Sequence, residues 1–225
     1  MKGKWVALMI ICILLADQAL KFYIKTNYYP GEEHKILGSW FRLHFVENVG
    51  MAWGWEFGSS FGKIILTLFR LLAVVFGVFY LRSIILKKYH KGFIICASLI
   101  YAGALGNLID SMFYGMIFNN GNGSTPAQLF PAGGGYAPFL HGKVVDMLYL
   151  PIITNAKFPS WFPFWGGQHF EFFNMVFNIA DASISIGIIA LLVWQRRFFP
   201  RQHQQPTNAP VPETVIAMEE NKQAL

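Results

Sequence analysis

Phe177-Asn178-Ile179-Ala180-Asp181-Ala182-Ser183-Ile184 puts an amide and a carboxylate inside a run, Phe172–Trp194, that otherwise reads as a membrane-spanning helix. A charge at membrane depth costs several kcal/mol, so a chain keeps one there only with a partner or a task. Asn174, Asn178 and Asp181 fall at i, i+4 and i+7, which on a helix predicts one shared face. A polar stripe on an apolar helix belongs against a protein interior or a wet cavity, not against lipid. What meets Asp181 across that cavity decides both fold and function.

The rest of the chain has the composition such a helix needs. Its 225 residues are 54% hydrophobic and 17% aromatic with only 13% charged, and the mean hydropathy is +0.40. That excludes an ordinary soluble domain and fits a small polytopic membrane protein. The formal charge of +6 does not point to nucleic acid, because the basic residues cluster at the ends of apolar runs, where they set topology. Cys12 and Cys96 each lie in an apolar run and read as small hydrophobes. The six histidines are scattered, and neither a CxxC nor another metal-ligand spacing occurs.

Four spans are predicted: residues 5–24, 63–86, 92–113 and 172–194. The basic-then-apolar amino terminus resembles a signal peptide, but no A-x-A site follows and further spans do, so it is read as a retained first span. Its uninterrupted apolar part, Trp5–Ala16, is too short to cross about 30 Å of hydrocarbon. The helix must therefore continue through Asp17 and Lys21, which at i, i+4 can pair. Ser39–Val46 partly alternates and predicts a short strand at the interface. Asn119–Pro138, rich in Gly, Asn and Pro, reads as an irregular insertion, and Pro159–Gly167 as an aromatic stretch suited to the headgroup layer. Lys2 and Lys4, then Arg82, Lys87, Lys88 and Lys91, then Arg196, Arg197 and Arg201 form three basic clusters. With four spans they share one side, so both termini are expected in the cytoplasm. Residues 1–195 are taken as one membrane domain and 196–225 as a disordered cytoplasmic tail.

This topology brings the acids together. The four aspartates, Asp17, Asp110, Asp146 and Asp181, all fall near the outer membrane surface, although the topology came from basic residues alone. Two adjacent carboxylates cannot both ionise cheaply and share a proton. Such a pair can activate water, one member taking its proton while the other polarises a carbonyl. Asn107, Asn174 and Asn178 are candidate orienting groups. A proton-coupled carrier using the same acids, and a purely structural polar cluster, stay open on spacing alone. Arg70, about one and a half turns into the second span, either snorkels or pairs with a carboxylate.

Five ordered motifs carry a resemblance across most of Trp5–Trp194. Asp17-Gln18-Ala19-Leu20-Lys21 looks like D-x-x-x-K, Asn48–Trp53 like N-x-G-x-A-F, and Gly103–Asp110 like G-A-L-G-N-x-x-D. Val144-Val145-Asp146 looks like V-V-D-F and Phe177–Ile184 like F-N-x-A-D-x-x-I. Together they resemble lipoprotein signal peptidase, the bacterial signal peptidase II.

The resemblance implies an all-α membrane protein of four transmembrane helices with a small β-rich periplasmic platform and long outer loops. It implies an aspartic endopeptidase of the bacterial cytoplasmic membrane that cuts prolipoproteins before the diacylglyceryl-modified cysteine. Asp146 and Asp181 map onto the family's catalytic pair. Asp17, Lys21, Asn48, Gly50, Asn107, Asp110 and Asn178 map onto supporting or substrate-facing positions. The implied partners are a lipid-modified prolipoprotein and membrane lipids, with no nucleic acid, no metal or organic cofactor, and a monomeric enzyme. Trp53 and Met147 replace the family's usual Phe and keep apolar bulk. Ser111 stands where the family commonly has Arg, and Arg42 and Arg70 are the candidate substitutes. The segments 118–142 and 151–170 are insertions of unassigned role.

Overall fold

The computed structural model describes residues 1–38, 40–49, 60–172 and 174–199. Three long helices dominate: α1 (Gly3–Asn27), α2 (Ser60–Leu86) and α3 (Lys91–Ile109). α3 runs on through a π-helical turn (Asp110–Tyr114) into a last short turn, α4 (Gly115–Ile117). By length and apolarity α1, α2 and the continuous stretch Lys91–Ile117 can each cross a membrane. Large apolar side chains such as Phe69, Phe76 and Phe79 point outward from α2, as lipid contact requires.

The predicted fourth span is corrected. Its helix, α5, covers only Ile179–Val193, about 22 Å at 1.5 Å per residue. A short α6 (Gln195–Phe198) follows, and the Phe198 ring packs near Gly92 in the apolar cluster of Val6, Phe93 and Ile94. The residues expected to open the span enter sheets instead: His169–Phe172 is β5 and Val176–Phe177 is β6. Asn178 then starts the helix. Its side chain accepts from the Asp181 N–H while the Asp181 carboxylate reaches back to the Asn178 N–H, a capping box. The i, i+4, i+7 stripe through Asn174 therefore does not exist. Asn174 precedes the helix, is exposed, and accepts from the Tyr149 hydroxyl.

A small sheet is present, as the expected β-rich platform requires, so the protein is not fully all-α. β1 (Glu33–Leu37), β2 (Phe41–Asn48), β3 (Val144–Tyr149) and β6 form one antiparallel sheet in the order β1-β2-β3-β6. β4 (Ile153–Lys157) and β5 pair as a separate hairpin. The register sets Val46 opposite Asp146, Asn48 opposite Val144 and Phe177 opposite Leu148. Asn48 on β2 and Asn178 just after β6 are thereby carried to the acid.

α3 and α5 form the most extensive helix pair, and small residues let them approach. A Cβ on Gly103 would sit 2.2 Å from the Ala180 carbonyl oxygen and 2.6 Å from Ile184 Cγ1. That contact is with backbone at the very start of α5, so it cannot be relieved by a rotamer. Gly103→Ala is expected to destabilise the protein by roughly 1–3 kcal/mol and to displace Asp181. Thermal unfolding in detergent checks it, and an unchanged Tm would show that the two helices can separate freely. Cys96 is buried in α3 and Cys12 faces outward from α1.

The segment 118–142 packs against the rest of the protein. Phe118, Ala127 and Tyr136 join Ile24, Phe45, Tyr114, Val145 and Met147 in a second apolar cluster. The predicted tail is described only as far as Phe199; residues 200–225 lie outside the described residues.

Candidate active site

Four elements converge beneath the sheet. α1 supplies Asp17, Gln18 and Lys21, α3 and the π-helical turn that continues it supply Asn107 and Asp110, β3 supplies Asp146, and the N-cap and first turn of α5 supply Asn178 and Asp181. The lower tier is ionic. Lys21 is fully buried, and its ammonium meets Asp17 Oδ2 at 2.9 Å, Asp110 Oδ2 at 2.7 Å and Asn107 Oδ1 at 3.0 Å. An ammonium has three N–H donors, and all three are used. Gln18 Nε2 adds donors to Asp110 Oδ1 at 2.9 Å and Asp17 Oδ2 at 3.1 Å, and its carbonyl accepts from the Tyr114 hydroxyl at 3.1 Å. Gly106 leaves the room this needs, since a Cβ there would lie 2.9 Å from Asp17 Oδ2.

The lower tier also grips the elements that bear the other two acids. The Ala180 N–H donates to Asp17 Oδ1 at 2.9 Å, fixing the start of α5. The Val145 N–H donates to Asp110 Oδ2 at 3.4 Å, fixing β3. Asp110 opens the π-helical turn, a feature frequent at functional sites because the extra residue re-aims the side chains around it.

Two amides join this tier to the upper one. Asn107 Oδ1 accepts from Lys21 and from Asn178 Nδ2 (3.2 Å), so its own Nδ2 is left to donate to Asp181 Oδ1 at 2.7 Å. Asn178 Nδ2 also donates to Asp146 Oδ1 at 2.6 Å, while its carbonyl accepts from the Asp181 N–H at 2.8 Å. The Asn48 side chain is a further hydrogen-bond partner of Asp146. Each amide is thus polarised by one neighbour toward the next, which strengthens the chain. Asp146 is 4% exposed. Burial, then the charge of nearby Asp181, pushes its carboxyl up to about 7 despite the donors from Asn178 and Asn48.

Arg70 approaches from α2. Its Nη1 donates to Ser111 Oγ at 3.0 Å, and Ser111 in turn donates to the Asn107 carbonyl oxygen at 2.9 Å. The guanidinium acts electrostatically on Asp181, then on Asp110 and Asp146. A guanidinium therefore reaches Ser111 from a neighbouring helix. Arg42, the other candidate, bonds Glu33 at 2.9 Å and lies over the Tyr149 ring, at the far end of β2. Gly50 lies outside the described residues, as do Met51, Ala52 and Trp53 of the same motif.

Sequence reasoning missed a second charged centre beside the first. Lys25, one turn beyond Lys21 and fully buried, forms a short ion pair with Glu47. Its ammonium is also ringed by Phe45, Phe118 and Tyr136 at 5.1–5.8 Å. Glu47 Oε2 holds Lys143 at 2.7 Å. Burial pushes the Glu47 carboxyl up, but the two ammonium groups pull it below the usual carboxylate range. The clamp joins Glu47, next to Asn48, to Lys143, three residues before Asp146. The signal was present as a 17, 21, 25 repeat of charge along one face of α1.

Comparisons with known proteins bear on the family of the chain. The description of the family "Signal peptidase (SPase) II" matches residues 9–197. The lipoprotein signal peptidase of Porphyromonas gingivalis is 51% identical over 193 residues, covering 85% of this chain and 83% of that protein. The lipoprotein signal peptidase of Amoebophilus asiaticus is 32% identical over 209 residues, covering 92% and 83%. A bacterial membrane enzyme solved by the in meso method shares the fold, with a TM-score of 0.55 at 22% identity over 90% of this chain and 94% of its own. With matches that run nearly from end to end, this chain belongs to the signal peptidase II family of membrane aspartic endopeptidases.

Proposed function

We propose that this enzyme removes signal peptides from prolipoproteins, cutting before the diacylglyceryl-modified cysteine, and that Asp146 and Asp181 are the catalytic pair. The observation that carries the reading is the pair of amide bridges: Asn178 serves Asp146, Asn107 serves Asp181, and the two amides bond each other. Amides so arranged hold two carboxyl groups as one proton-sharing unit.

Asp146, buried and titrating high, carries the shared proton. Asp181, at the amino-terminal end of α5 and held by the Asn107 amide, serves as the base. Asp181 takes a proton from water as the water oxygen bonds to the scissile carbonyl carbon. Asp146 donates to the carbonyl oxygen. The tetrahedral intermediate collapses as the C–N bond breaks: the cysteine nitrogen takes the proton from Asp181, and one hydroxyl of the intermediate returns its proton to Asp146 as the carbonyl re-forms. Asp17, Lys21, Asp110 and Asn48 position the pair.

In this reading α5 is the fourth crossing, short enough to require local bilayer thinning or the help of α6. Both termini face the cytoplasm and the carboxyl pair sits at the outer leaflet of the inner membrane, where a lipid-anchored cysteine presents its scissile bond. The monomer suffices, since the two acids come from one chain.

The test is cleavage by purified protein of a diacylglyceryl-modified prolipoprotein beside its unmodified precursor. Cleavage of the modified form alone, with the new amino terminus at the lipidated cysteine by mass spectrometry, is expected. Failure on the modified form overturns the proposal. The rate should fall as pH rises through about 7, because Asp146 then loses the shared proton. A rate still climbing above pH 8 would show that the proton is not needed there.

A further inference from the structure

Between β3, which carries Asp146, and β6, which leads into Asn178, the chain leaves the main sheet and builds a hairpin of its own. β4 and β5 pair with Ala156 opposite Phe170 and Lys157 opposite His169. The tip, Phe158 to Gly167, has five aromatic residues in ten and no charged one. Four rings make a ladder: Phe158 lies 4.5 Å from Phe170 and 5.0 Å from Phe162, which stacks on Trp165 at 6.2 Å. The ladder stiffens the tip without hiding it. Trp161 remains 77% exposed and Phe164 94%. Phe164 also holds a left-handed backbone, φ 68°, which a bulky residue adopts only under constraint; here it leaves the ring turned outward.

A contiguous apolar surface of this kind marks an interaction site rather than a water-facing loop. Its position names the partner. Both roots of the hairpin join the main sheet at the Tyr149–Val176 pair, three residues along β3 from Asp146. β4 and β5, five and four residues long, keep the tip within about 17 Å of that root. Indole and phenyl rings concentrate in the headgroup layer, and Lys157 at the neck complements anionic headgroups.

We infer that the 158–167 tip is an interfacial anchor that inserts into the headgroup layer of the outer leaflet beside the active site, with phospholipid as its ligand. The inference rests on the reading of α1–α3 as membrane-spanning. The anchor ties the strand bearing Asp146 and the helix bearing Asp181 to the plane in which a lipidated substrate diffuses.

The experiment is nitroxide depth measurement on the full-length chain carrying Cys12→Ala and Cys96→Ala, in phosphatidylcholine–phosphatidylglycerol vesicles. Labels are placed by Phe164→Cys and, separately, Trp161→Cys, so that one site remains should the other fail to fold. Phe76→Cys on α2 is the bilayer reference and Ser124→Cys, in an exposed polar turn, the aqueous one. The ratio of relaxation by oxygen to relaxation by a soluble nickel chelate at the tip labels is expected to lie between the high value at Phe76 and the low value at Ser124. Tip labels relaxed mainly by the chelate place the tip in water and overturn the anchor. Tip labels relaxed by neither reagent place it against protein and overturn it equally. A Phe76 label that behaves like Ser124 overturns the spanning reading itself, a separate outcome.

Discussion

Asp146→Asn and Asp181→Asn should each lower turnover by about 10⁴-fold or more, the scale on which removal of one member of a concerted catalytic unit is felt. An amide can neither carry the shared proton nor take one from water, so either change stops the same step. The two variants differ in what else they disturb. Asp146 Oδ1 accepts from Asn178, and an amide oxygen can accept in its place, so the fold should survive Asp146→Asn. That variant should also lose a pH dependence. A carboxyl raised to about 7 from an ordinary value near 3.9 binds its proton more tightly in the folded state, so its stabilising contribution is full below about 4 and is lost as pH rises through about 7. Asp146→Asn removes that alkaline loss. Asp181 instead accepts from Asn107 with one oxygen and from the Asn178 N–H with the other. An amide there meets one donor with an N–H of its own and breaks the capping box, at a cost of about 0.5–2 kcal/mol. Turnover and Tm measured on both variants check this. Near-wild-type turnover in either would remove that residue from the catalytic pair.

The unequal consequences of those two changes reflect what could be read in the chain beforehand. The long helices were legible because predominantly apolar segments of about twenty residues have few other uses. The strand at 39–46 was legible from its alternation, and β2 covers Phe41–Asn48. The fourth helix was misread because Phe172, Phe173, Met175, Val176 and Phe177 are as apolar as any span. Hydropathy cannot tell a helix from a strand that is added to a sheet edge. The decisive signal was local: Asn178 with Asp181 three residues on, a capping pair that starts a helix rather than lying within one.

The site was legible as a set of residue types and only partly as a set of contacts. Topology placed four aspartates at one depth, and the geometry gathers them in one network. It does not treat them alike. Asp17 and Asp110 bracket Lys21, whereas Asp146 and Asp181 receive amides. Spacing could predict the Asp17–Lys21 pair, because that pair is helix-local. It could not predict that Asp110 shares the same ammonium across 89 positions, because nothing in a single sequence records which helices touch. The same limit hid Arg70 against Ser111 and Glu47 between Lys25 and Lys143. Asn174 was assigned to the site by a helical periodicity that the sheet cancels.

The Asp17–Lys21–Asp110 centre yields the largest expected loss of stability. Lys21→Met keeps the length and apolar stem of the side chain and deletes only the ammonium. It leaves two buried carboxylates facing one another and strips a donor from Asn107. Breaking a buried ion pair by removing one partner costs about 3–5 kcal/mol, a large share of the stability of a domain this size. The loss should propagate to the reaction, because Asp17 holds the first turn of α5 and Asp110 holds β3. Activity should therefore fall together with Tm, unlike Asp146→Asn, where activity falls and Tm holds. Neutralising the acids as well separates charge from packing. The triple change Lys21→Met, Asp17→Asn, Asp110→Asn removes the unpaired charges and should recover much of the lost Tm, since each amide can still accept from the Ala180 or Val145 N–H. It should recover less activity, because Asn107 would still lack the Lys21 donor that orients its Nδ2 toward Asp181. Thermal unfolding of wild type, single and triple variants in the same detergent checks the ordering. If Lys21→Met melts with wild type, the ammonium is not what holds these four elements together, and the positioning role passes to the Gln18 and Asn107 amides.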